Sequence, residues 1–187
     1  VRLIQSTSKP IIILTSNQSS GERLVGDIRY FWKLRKVKNN IRFFPSWGVL
    51  PYENISPSLE ISGQRLNILD ELHSNDISLL VLPVEAIMQC VIPRQELSEK
   101  TFTFKIGDNL EREFLEECLV DNGFVRFPLV ENRSQFSSRG DIIDVFPSDS
   151  INPFRVEFFD NTIESIREFD AVTQVSLKNI DYLKILP

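Results

Sequence analysis

Apolar positions along the first ninety residues switch between strand and helix spacing. Pro10 precedes the β-branched run Ile11 to Thr15, and Leu24, Ile28, Phe31 and Trp32 then recur on one helical face. A strand is therefore expected to lead into a helix from about Glu22 to Arg35, capped by Ser19 or Ser20, with Phe31 and Trp32 in the core. Ile41 to Phe44 reads as a second short strand ended by Pro45, followed by a proline-bearing loop from Ser46 to Ser58. Ile61, Ile68, Leu69 and Leu72 mark a further helix face, Ile77 to Leu82 a wholly apolar strand, and Val84 to Cys90 a short helix. Apolar strands that alternate with helices predict a parallel α/β sheet.

The pattern changes in the second half. Thr101 to Lys105 alternates like a strand, and Asp108 with Glu111 offers a capping-box start to a helix lined by Leu110, Phe114, Leu115, Cys118 and Leu119 and ended by Gly123. Short strands follow at Phe124 to Leu129, Gln135 to Arg139, Ile142 to Phe146, Phe154 to Phe159 and Ile163 to Phe169, separated by turn residues such as Pro147-Ser148-Asp149 and Asp160-Asn161. This predicts a smaller antiparallel α+β domain, with the boundary near Pro93 to Glu99. The expected division is 1–97 and 98–187.

Composition narrows the class. With 187 residues, 42% apolar and 25% charged, the chain is long enough for one large core or two small ones. Its longest apolar runs fall far short of the roughly 18 to 20 residues that span a bilayer, and no signal peptide is visible. A start at Val1 is expected of a piece of a longer, cytoplasmic protein. Cys90 and Cys118 both sit among apolar residues and read as buried thiols in a reducing compartment. The net charge of −5 argues against nucleic-acid binding by the whole chain. It is unevenly spread, because Glu22 to Arg42 holds seven basic residues against two acidic ones.

Catalytic chemistry is sparse. The lone histidine, His73, lies at a polar helix end and reads as solvent-facing, which leaves little for a histidine-based triad or metal site. CxxC, HExxH and GxSxG do not occur. Gly21 to Gly26 has the glycine spacing of a phosphate loop but continues with Asp27-Ile28, where lysine and a hydroxyl residue are required. Neither an enzyme nor a cofactor or metal site is expected from this segment.

Two blocks are more particular than composition explains. One runs Phe44-Pro45-Ser46-Trp47-Gly48-Val49-Leu50-Pro51-Tyr52-Glu53 and continues through Ile61-Ser62-Gly63-Gln64-Arg65-Leu66. The other runs Ser138-Arg139-Gly140-Asp141-Ile142-Ile143-Asp144-Val145-Phe146-Pro147, followed by Phe154-Arg155-Val156-Glu157-Phe158-Phe159-Asp160. Together they resemble the start of the bacterial transcription-repair coupling factors, the Mfd family, in the region that these share with the excision-repair subunit UvrB. The resemblance implies a degenerate RecA-like, helicase-like α/β domain without motor function, then a domain that binds UvrA. It also implies that ATP hydrolysis and the contacts with RNA polymerase and DNA belong to segments outside this chain, whose other domains are further partners.

The family's UvrA-binding surface depends on two arginines and a phenylalanine, which map onto Arg139, Arg155 and Phe159. Strand alternation agrees: Phe154, Val156 and Phe158 share one face, and Arg155, Glu157 and Phe159 the other. Glu157 is expected as a rim contact or as a partner for Arg155. The competing reading is a UvrB-type helicase fragment that contacts DNA through Arg23 to Arg42, with Tyr30, Phe31 and Trp32 stacking on bases.

Overall fold

The computed structural model describes residues 9–34, 40–49 and 52–187. Arg35, Lys36 and Lys38 of the basic stretch, and Leu50-Pro51 of the first motif, lie outside the described residues. The chain divides into two compact units, Val1–Arg94 and Gln95–Pro187.

In the first unit, β1 (Ile11–Thr15), β2 (Ile41–Phe43) and β3 (Leu79–Pro83) form a parallel sheet in the order β1-β3-β2. Helices α1 (Gln18–Leu34) and α2 (Leu59–His73) connect them. Helix α1 packs Val25, Trp32, Leu24 and Ile28 on Ile11, Ile13, Ile41, Leu79 and Val81. Helix α2 brings Ile68, Leu69 and Leu72 against Phe44, Ile77, Leu80 and Leu82. The central strand β3 is thus buried on both faces, which is why its sequence is an unbroken apolar run.

Helix α1 begins earlier than expected. Asn17, rather than Ser19 or Ser20, caps it, its Oδ1 accepting the Ser20 amide at 2.9 Å. Gly21 and Gly26 therefore both lie inside the helix, not in a loop. A Cβ on Gly21 would stand 2.5 Å from a Phe43 ring carbon, so the glycine lets α1 approach β2. Phe31 departs from its expected place: it is 57% exposed while Trp32 is buried. Val25, Ile28 and Trp32 already fill the i, i+3, i+7 stripe, and Phe31, one step round the helix, meets Tyr30 edge-on at 5.7 Å. On the free edge of β2, Arg29 donates to the Ile41 carbonyl at 3.4 Å and Gln64 to the Phe43 carbonyl at 3.5 Å. These bonds occupy acceptors that would otherwise pair with another chain.

The first sequence motif is held by Arg65, which is only 1% exposed. Its guanidinium lies between the Phe44 and Trp47 rings, at 4.3 and 4.1 Å, and donates to the Pro45 carbonyl and to Gln89 Oε1. Gln89 Oε1 also accepts the Trp47 amide at 3.0 Å. Burial without a carboxylate lowers the Arg65 pKa to about 10. His73 ends α2 half-buried rather than solvent-facing, with its pKa lowered by burial and by Arg94. The short helix α3 (Val84–Ile87) stops before Cys90, which is exposed and not a buried thiol.

The predicted boundary segment is itself helical, as α4 (Arg94–Lys100). The second unit then runs β4 (Phe102–Lys105), α5 (Arg112–Asp121), β5 (Val125–Arg126), β6 (Gln135–Arg139), β7 (Ile142–Phe146), β8 (Phe154–Phe159), β9 (Thr162–Phe169), β10 (Ser176–Asn179) and β11 (Tyr182–Ile185). Six strands form one sheet in the order β10-β9-β8-β7-β6-β5, antiparallel except for the parallel pair β5 and β6. Strands β4 and β11 pair separately. One sheet face packs Phe136, Ile143, Val145, Val156, Phe158, Ile163 and Ile166 against Leu115 and Leu119 of α5 and against Phe104, Leu183 and Ile185.

Three local expectations change here. Pro128 cuts the strand expected over Phe124 to Leu129 to two residues. Glu111 occupies the N-cap of α5 without a side-chain bond, and Asp108 instead accepts the Lys105 amide at 2.9 Å. Phe114 is exposed, because Leu115 and Leu119 carry the packing of α5. Among the described residues no helix is long and apolar enough to cross a membrane, and no cluster of His, Cys, Asp and Glu is arranged to hold a metal.

Candidate functional site

The sheet face opposite this core is polar, and strand register decides its layout. Ser137, Asp144, Arg155 and Arg167 lie directly opposite one another on β6, β7, β8 and β9. Arg139, Ile142, Glu157 and Ser165 form the neighbouring row. A bulge in β9 beyond the Glu157–Ser165 pair lets Ile163 and Ile166, three residues apart, both turn into the core.

Asp144 is the centre of the site, with no exposed surface. Arg155 grips it with two bonds, Nε to Oδ1 at 2.7 Å and Nη2 to Oδ2 at 2.9 Å. Arg139 reaches it diagonally from β6, at 3.2 Å. The Arg155 guanidinium also lies 4.7 Å from the centre of the buried Phe169 ring. Its hydrogen bond to Asp144 raises its pKa above the ordinary arginine value, with burial acting in the opposite sense. The two arginines are thus held in place by one carboxylate and keep an excess of one positive charge. Arg139 still presents 54% of its side chain to solvent and Arg155 18%.

Phe159, at the end of the same strand, is 76% exposed, which leaves an aromatic ring open on the surface. Glu157 lies between them. Its partners are the Ser165 hydroxyl at 2.7 Å and Arg167, so it does not pair with Arg155. All four residues singled out from the sequence, Arg139, Arg155, Glu157 and Phe159, therefore lie on β6 and β8, two strands separated only by β7.

Sequence reasoning passed over Asp144, Arg167 and Arg112. Asp144 was visible only as part of a motif, since an aspartate inside an apolar strand reads no differently from a surface one. Arg112, in the first turn of α5, donates to the Gly140 carbonyl and lies 3.8 Å from Asp141. Gly140 has φ +59° in the tight β6–β7 turn, so Arg112 pins the hairpin that carries Arg139.

Comparison with known proteins shows what the chain is similar to. Residues 102–187 match the family described as the UvrB interaction domain. The chain is 33% identical over 180 residues to a transcription-repair-coupling factor of Haemophilus influenzae, covering 94% of the chain and 16% of that relative. It is 29% identical to the Escherichia coli protein of the same name over 95% of the chain, and 30% identical to that of Bacillus subtilis over 99%. In each of those two it covers 15% of the relative's length. The aligned stretch is thus a small part of these curated relatives, yet it takes in both units of the chain. The match of residues 102–187 to a UvrB interaction domain, with homology along nearly the whole chain, shows that it is homologous to the corresponding segment of the transcription-repair-coupling factors.

Proposed function

We propose that this chain is a docking module that binds UvrA through the face carrying Arg139, Arg155, Glu157 and Phe159, and so joins transcription stalled at damage to excision repair. The first unit is the remnant of a RecA-like helicase domain, and the chain acts by binding, not catalysis. ATP hydrolysis, translocation and contact with RNA polymerase reside in segments outside it. The observation that carries this reading is the pair of arginines fixed on buried Asp144 beside a strand-end phenylalanine that is 76% exposed. Anchored arginine beside an open aromatic is the composition of an interface hot spot. Burying the Phe159 ring against a partner would contribute about 1.5–3 kcal/mol.

Binding to purified UvrA, measured for the wild type and for Arg139→Glu, Arg155→Glu and Phe159→Ala, tests it. Each folded variant is expected to lose at least about tenfold in affinity. Wild-type affinity in all three would overturn the assignment of this face.

A second reading is favoured by one observation, the exposure of Tyr30 and Phe31 on α1 within the basic stretch. Aromatic rings beside cations stack on single-stranded bases. Labelled oligonucleotide titrated at several salt concentrations would show binding that weakens with salt and with Tyr30→Ala/Phe31→Ala. No binding at low salt would dismiss it.

A further inference from the structure

Arg155 and Arg167 stand directly opposite each other on β8 and β9. Like charges in that relation repel, so each needs a counter-charge. Asp144 serves Arg155 from the strand on one side, and Glu157 serves Arg167 along the diagonal. Arg139, Arg155 and Arg167 against Asp144 and Glu157 leave the cluster with one uncompensated positive charge. Arg167 is also incompletely satisfied. One nitrogen meets Glu157, while its Nε is buried with no hydrogen-bond partner, although 31% of the side chain faces solvent. A buried cationic donor left unpaired is costly, and a partner that re-seats the guanidinium would remove that cost.

We infer that Arg167 is a further contact residue of the docking face, and that the partner sets at least one carboxylate against the Arg155–Arg167 row. The guanidinium fork of Arg167 turns from Glu157 toward that carboxylate, and Glu157 becomes the rim of the contact. This rests on the docking reading above and extends it from two arginines to a ladder of three on strands β6, β8 and β9. The matching surface is acidic, with an apolar hollow for Phe159.

The test is a double-mutant cycle in binding to purified UvrA, using the chain with Arg167→Ala, Glu157→Gln and both together. Direct contact predicts a loss of at least tenfold for Arg167→Ala in either background. Arg167→Lys would recover only part of it, because lysine keeps the charge without the fork. If Arg167 acts solely by holding Glu157, its loss disappears in the Glu157→Gln background, and the inference is overturned. Thermal melts separate a folding defect from a binding one, and Arg167→Lys, which preserves the charge, stands in if the alanine variant unfolds. Wild type that binds UvrA while ignoring every change at Arg167 sinks this inference alone. Wild type that does not bind sinks both it and the docking reading.

Discussion

Replacing Asp144 by asparagine changes one oxygen, yet it should be among the most damaging substitutions in the second unit. The carboxylate has no exposed surface and accepts three charge-assisted bonds, two from Arg155 and one from Arg139. Asparagine retains a single carbonyl acceptor and turns an NH2 toward a guanidinium. Arg155, itself mostly buried over Phe169, is left without its counter-charge. Removing one partner of a buried ion pair costs about 3–5 kcal/mol. In a unit of this size that corresponds to a fall in Tm of at least about 10 °C, readable by circular dichroism. Replacing both partners, Asp144→Leu with Arg155→Leu, removes the stranded charge and should recover most of the stability while removing one arginine of the proposed docking face. An Asp144→Asn variant melting within about 2 °C of the wild type would refute the reasoning. So would a double variant no more stable than the single one, because the penalty would then not come from the stranded arginine.

Two glycines of α1 make opposite forecasts. Gly21→Ala drives a methyl into Phe43 and should cost about 1–3 kcal/mol, whereas a Cβ on Gly26 meets nothing within 4 Å and Gly26→Ala should stabilise by about 0.5–1 kcal/mol, both measured by urea unfolding. Thiol labelling of the native chain should modify exposed Cys90 first. Cys118 should follow slowly, since burial and the nearby Asp121 and Glu117 raise its pKa and lower its thiolate fraction. The Glu168 carboxyl is held below the usual carboxylate range by bonds from Asn152 and Lys178. A depressed folded-state pKa contributes stability that is complete above the unfolded value of about 4.3 and is lost as pH falls through the folded one. The stability gap between wild type and Asn152→Ala should therefore narrow from pH 7 to pH 3 in urea titrations.

Much of this protein was legible in its sequence, because helix and strand periods are local. The unbroken apolar run at Leu79–Pro83 announced a central strand, and the alternation Phe154-Arg155-Val156-Glu157-Phe158-Phe159 separated core from open face correctly. Where neighbours compete, local pattern was insufficient. Phe31 and Trp32 are both aromatic and adjacent, and only packing against β3 decided that Trp32 enters the core. Cys90 sits among apolar residues but falls beyond the end of α3, so its surroundings in sequence are not its surroundings in space. Strand β10 carries little pattern of its own and draws its ladder bonds from β9, whereas β11 alternates Tyr182-Leu183-Lys184-Ile185 over only four residues and is fixed by its pairing with β4.

The site shows the same division. Its residue types are written in the motif, but their roles depend on register, which is a property of paired strands and not of any one segment. A slip of one residue between β7 and β8 would turn Asp144 away from Arg155. The actual pairing puts Asp144 opposite Arg155 and Arg167 beyond it, so that charges from four strands share one face as an Arg139–Asp144–Arg155 cluster beside a separate Glu157–Arg167 pair. The sequence by itself determined which residues alternate and what charges they carry. Only the tertiary structure decided which charges meet, because an ion pair is set by distances of a few ångströms between chain segments that local preference does not bring together.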